Sequence, residues 1–156
     1  GYRKIEMMSY NLGISSLLER ENGYRQSMEE HGLKDLMKVH YTSYGNVERD
    51  VDEMVKSAVE RKVEALFLPT YTLSAKTLSA MRRMHVKTPD DLAVVAFDRS
   101  DVYALYENTV AHIVQPLREL GEKSVELLHD MIENNTAESA IILKPELVMG
   151  GSAESK

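Results

Sequence analysis

The sequence contains no cysteine. That excludes a disulfide framework, thiolate chemistry and a cysteine metal site, and it permits a cytoplasmic home. Long hydrophobic runs are also absent. None approaches the roughly 20 residues needed to span a bilayer, and the opening GYRKIEMM does not read as a signal peptide. No membrane partner is expected. Basic residues are in the minority, 19 Lys and Arg against 25 Asp and Glu, for a formal net charge of −6. A field of that sign repels a polyanion, so binding of nucleic acid by this stretch is disfavoured.

Chemical motifs are sparse as well. His31, His40, His85, His112 and His129 are scattered and never fall at the i, i+4 spacing of a helical metal pair. There is no G-x-G-x-x-G, no G-x-x-x-x-G-K-[ST] and no G-x-S-x-G, hence no phosphate cradle and no nucleophile elbow. Neither a cofactor, a metal nor an enzymatic activity is expected. Acid pairs such as Asp90-Asp91 and Glu29-Glu30 fall in a turn or at a helix end, where solvated charge explains them.

What is present is a 156-residue chain, 43% hydrophobic, long enough for one α/β core. Apolar runs alternate with stretches of helical period. Strands are expected at Arg3 to Met8, Met37 to Tyr41, Ala65 to Leu68 and Leu92 to Phe97. Between them, Ser16 and Glu19 suggest a capping box for a helix that Gly32 ends. Val47, Val51, Met54, Val55 and Ala58 make one apolar stripe, with Arg61 and Lys62 at its C-terminal end. Leu73, Leu78 and Met81 mark the next helix, followed by a Pro89-Asp90-Asp91 turn. This βαβαβαβ order predicts an open, doubly wound parallel sheet with helices on both faces. A short β run at Thr109 to Val114 follows. Gln115-Pro116 then reads as the cap and first residue of a helix through Leu117, Leu120, Ser124, Leu128 and Met131, ending at Asn134-Asn135. A last strand is expected at Ala140 to Leu143, before a loose tail.

Two charges sit where open α/β sheets place ligand groups. Asp98 directly follows the apolar strand at its carboxyl end, and Arg20 lies on the helix after the first strand, within reach of the same edge. By position alone Asp98 serves equally as a turn acid, and Arg20 as a surface cation.

Several segments together resemble the lactose-repressor (LacI/GalR) family: GYRKIEMM, RENGYRQSMEEHGL, TPDDLAVVAFDRSD and HIVQPLRELGEKSVELL, in that order. The most specific pair is PDDLAVVAFD with QPLRELG some twenty residues later. The resemblance implies a periplasmic-binding-protein-like fold of two subdomains that hold a small effector, with sugars foremost. Residues 1–113 would form the C-terminal subdomain, 114–144 a helix and strand of the other subdomain, and 145–156 a tail. DNA would be bound only through a helix-turn-helix preceding Gly1.

Carried over by position, Arg20 stands at the effector-binding arginine of R-x-x-G-[YFW] and Asp98 at the aspartate of the family's FD motif. Ser16 falls in the loop lining the cleft. Thr70-Tyr71 replaces the common Asn-Asp, and Tyr71 could stack on a sugar face or a planar ring. The resemblance further implies a homodimer, with Leu73, Leu78, Met81, Tyr103, Leu105 and Tyr106 as candidate surface. The alternatives are an exported sugar-binding protein of a transporter, which has the same architecture, and a flavodoxin-like enzyme or receiver domain. The latter needs a phosphate loop or acidic cluster that Ser9-Tyr10-Asn11 does not supply. Cut off from a first subdomain, the helix after Pro116 is expected to pack on a second copy or to fold back over its own sheet, and effector binding by this chain alone to be weak.

Overall fold

The computed structural model describes residues 1–106, 109–133 and 140–154. Strands β1 (Ile5–Tyr10), β2 (Lys38–Thr42), β3 (Ala65–Leu68), β4 (Ala93–Phe97), β5 (Ala111–Val114) and β6 (Glu146–Val148) form one sheet in the order β2-β1-β3-β4-β5-β6. The first five run parallel, and β6 pairs antiparallel with β5. Helices α1 (Ser15–Glu30), α2 (Val47–Glu60) and α3 (Tyr71–Arg83) are the crossovers. The doubly wound reading holds.

Met7 and Met8, adjacent on β1, are both fully buried and belong to separate clusters, because successive strand residues face opposite sides of the sheet. Met7 packs with Tyr24 and Met28 of α1, while Met8 joins the larger core under α2 and α3. Tyr24 of the RENGY motif is structural. Its hydroxyl donates to the Ile5 carbonyl at 2.8 Å and accepts from the Lys38 N–H at 3.1 Å, tying α1 to two strands. Gly32, at φ +67°, ends α1 as expected: its N–H bonds the Glu29 carbonyl at 2.9 Å and the Leu33 N–H bonds Met28 at 2.8 Å.

Other local expectations fail or are incomplete, each for a physical reason. The Ser16 capping box is not formed, since α1 begins two residues earlier than such a cap requires, with Ile14 as its N-cap, and Ser16 lies exposed in the first turn. Arg61 stands at the C-cap of α2, as expected, but has a further partner that its position does not announce. It forks onto the carboxylate of Glu6, a residue only 2% exposed, which also accepts from His40 Nε2 at 2.7 Å. Burial alone would push the Glu6 carboxyl up, but the hydrogen bonds and charges of Arg61 and His40 outweigh it and hold it at about 2.

The C-terminal stretch departs most. Ala140–Leu143 is not a strand, and the pairing partner of β5 is β6, a few residues later. The tail is not loose over its described part. Ser152 is fully buried; its Oγ accepts from the Ala111 N–H at 2.8 Å and donates to the Val94 carbonyl at 2.7 Å. Gly150 is required there, because a Cβ would stand 2.2 Å from the Thr109 carbonyl oxygen. The last helix, α4 (Leu117–Glu133), buries none of its described residues. It does not fold back over the sheet: Leu117, Leu120, Val125, Leu128, Met131 and Ile132 are all exposed. Asn134 and Asn135, expected to end it, lie outside the described residues.

The residues named as an association surface mostly serve the core. Leu73, Leu78 and Met81 are fully buried, Tyr103 is nearly so, and the Tyr106 hydroxyl donates to the Leu78 carbonyl. Leu105 alone of that set stays widely exposed.

Candidate functional site

The carboxyl ends of β1, β3 and β4 form a rim, and α1 returns over it. Arg20, one helical turn beyond Ser16, is half-buried at this rim. Its Nη1 donates to the Pro69 carbonyl at 2.6 Å, just past the end of β3, and its guanidinium carbon lies 3.7 Å from the centroid of the Phe97 ring. Burial pushes the Arg20 pKa down, and the nearby Asp98 carboxylate works against that shift. The fork remains a cation at any physiological pH.

Asp98 takes the left-handed conformation, φ +71°, at the end of β4. Aspartate is among the non-glycine residues that tolerate it. Its N–H donates to the Ile113 carbonyl at 2.8 Å, extending the β4–β5 ladder by one step. Its Oδ1 accepts from Gln115 Nε2 at 2.6 Å. A five-donor planar cation thus stands beside an acceptor-only carboxylate, with the Phe97 ring beneath the cation. Such a pairing suits a compact polar molecule carrying both hydroxyl donors and acceptors.

The remaining sequence candidates are placed as follows. Thr70 is the N-cap of α3, its hydroxyl accepting from the Leu73 N–H at 3.2 Å, which gives it a sufficient structural role. Tyr71 opens α3 and is 48% exposed, free to meet a ligand. It follows Pro69 and Thr70 directly, so α3 starts at the end of β3 that Arg20 holds through the Pro69 carbonyl. Arg20, Asp98, Thr70 and Tyr71 therefore gather at one rim, while exposed Ser16 shares only the α1 turn below Arg20.

Three contributors escaped the sequence reading. Phe97 counted only as strand, although it is the aromatic half of the FD pair. Pro69 enters through its carbonyl, which no side-chain motif reports. Gln115 was read as a helix cap, but its amide is spent on Asp98, and the first α4 bond runs from the Leu120 N–H to the Pro116 carbonyl at 2.9 Å.

The periplasmic binding protein-like domain family matches residues 1–153. Among curated relatives, the HTH-type transcriptional repressor PurR of Vibrio campbellii is 26% identical over 153 residues, covering 96% of this chain and 45% of that protein. PurR of Photobacterium profundum is likewise 26% identical, covering 99% and 47%. The chain thus spans less than half the length of these relatives. Among solved structures, the transcriptional regulator CelR in complex with cellobiose superposes with TM-score 0.81 at 25% identity, covering 98% of this chain and 47% of that one. The transcription regulator CcpA of Lactococcus lactis shares the fold at TM-score 0.79 and 22% identity, covering 99% and 57%. With the sheet order, the rim and these matches in agreement, the chain belongs to the periplasmic binding protein-like domain family and, within it, is a LacI/GalR-type effector-binding domain.

Proposed function

We propose that this chain is the sensing part of a cytoplasmic LacI-type transcription regulator, in which Arg20 and Asp98 hold a small polar effector, a carbohydrate before other classes. The observation that carries the reading is the convergence of Arg20, Phe97 and Asp98 at one sheet rim. Arg20 would donate to ligand oxygens and Asp98 would accept from ligand hydroxyl or amine groups. Tyr71 would stack on the ligand's apolar face, with Thr70 and Ser16 at the margin. The repressor names of the relatives and the cellobiose held by CelR support this class; the transporter alternative has no such support among the relatives named above. The role is one of binding rather than catalysis. DNA contact would fall to a region outside this acidic chain, and the working regulator would be a homodimer.

A thermal-shift screen of the full-length protein against monosaccharides, disaccharides and purine bases tests the reading, since a ligand that binds only the native state raises Tm. A hit whose Tm shift Arg20→Ala and Asp98→Ala each reduce is the expected outcome. A hit whose shift both variants retain in full places the site elsewhere.

A further inference from the structure

We infer that Asp98 and Gln115 form a clasp that fixes the direction in which α4 leaves the sheet, with Gln115 acting as a positioning residue for the Asp98 carboxylate. The pairing of β4 with β5 ends at Phe97 and Ile113, and that of β5 with β6 ends at Val114 and Glu146. Past this point the chain leaves the sheet. Asp98 then holds two positions of the departing strand from one residue: its N–H takes the Ile113 carbonyl at 2.8 Å, and its Oδ1 takes the Gln115 amide at 2.6 Å. The positive φ of Asp98 turns the backbone at this point, directly after β4. The bond to Gln115 has an ionised acceptor, which places it among the stronger side-chain hydrogen bonds.

Pro116 follows immediately, and its ring fixes φ, so little slack separates the clasped residue from the helix. The Pro116 carbonyl accepts the first α4 bond, from Leu120 at 2.9 Å. No described α4 residue is buried, so packing against the sheet does little to orient the helix. Direction is therefore set where the chain crosses out of the sheet, at Ile113 to Pro116. If Asp98 is an effector acid as proposed above, a ligand donor that claims the same carboxylate competes with Gln115, and rim occupancy becomes linked to the direction of α4. The clasp itself does not rest on that reading.

The lack of cysteine makes a direct test simple. Lys56→Cys on α2 and Val125→Cys on α4, both exposed positions, take spin labels for a distance measurement by double electron–electron resonance. The parent chain is expected to give one narrow distribution. Gln115→Ala, which removes the donor, and Gln115→Glu, which sets carboxylate against carboxylate, should broaden it. In Gln115→Ala the Leu120 amide should also exchange about tenfold faster, the effect of losing one good hydrogen bond to a charged group. Asp98→Asn in the Gln115→Glu background reverses donor and acceptor and should restore the narrow distribution, which a general loss of stability does not allow. If Gln115→Ala fails to fold by circular dichroism, Gln115→Met, similar in length but without the amide, takes its place. Parent-like width in the Ala or Met variant, or no restoration in the double variant, overturns the clasp. None of these readouts uses an effector, so their failure leaves the effector reading standing, and a failed ligand screen leaves the clasp standing.

Discussion

The Arg20 guanidinium lies over the Phe97 ring at 3.7 Å while donating to the Pro69 carbonyl at 2.6 Å, so one side chain on α1 touches the ends of both β3 and β4. The ring supports the cation where burial has stripped away part of its water. A double-mutant cycle with Arg20→Met and Phe97→Leu, followed by urea unfolding, is expected to give a coupling of about 0.5–2 kcal/mol. A coupling of zero would mean that the stack adds nothing to stability.

Glu6 predicts an acid limb in the stability profile. Its folded pKa of about 2 lies below the ordinary value of 4.5, so the stabilisation is complete above about pH 4.5 and is lost as pH falls toward 2. The loss from this one group is on the order of 3 kcal/mol. Glu6→Gln should flatten that limb in denaturant melts taken across the window, and should lower stability at neutral pH by leaving Arg61 without its charge partner.

The C-terminal strap predicts two further losses. Ser152→Ala leaves the buried Ala111 N–H without its partner and should destabilise by about 1–3 kcal/mol. Gly150→Ala drives a methyl into the Thr109 carbonyl and should cost at least as much, about 1–3 kcal/mol or more. Guanidinium unfolding of the two variants checks both; wild-type midpoints would show that the strap is not part of the stable fold.

These variants also mark where the sequence was legible and where it was not. Ala65–Leu68 is found at the expected bounds, and the Val47 to Ala58 stripe gives α2, because a buried strand and an amphipathic helix write their periods into the chain. Arg20 and Asp98 were legible because strand ends and the RENGY and FD patterns locate them. Gly150-Gly151 misled for a definable reason: glycine permits a loose chain and equally permits close backbone approach, and only the neighbouring Thr109 decides which. Glu6 gave no sign of its burial, since its partners His40 and Arg61 are 34 and 55 residues away. Gln115 next to a proline resembled a helix cap, and its true partner lies 17 residues earlier.

The exposed face of α4 predicts self-association of this chain. Leu120, Leu128 and Met131 are each about half exposed, and burying such side chains fully is worth about 1.5–3 kcal/mol apiece. Sedimentation equilibrium at micromolar concentration should show oligomers that Leu120→Lys with Leu128→Lys converts to monomer. A parent chain that sediments as a monomer throughout would count against a second copy as the cover.

The most direct measurement is calorimetric titration of the full-length protein with the ligand returned by the thermal-shift screen, comparing parent, Arg20→Ala, Asp98→Ala and the remote control Ser79→Ala. Each rim substitution removes a charge-assisted hydrogen bond, worth about 1.5–3 kcal/mol, so Kd should rise at least about tenfold in both rim variants and stay unchanged in the control. Equal affinity in the parent and both rim variants would show that the effector is not held by Arg20 and Asp98.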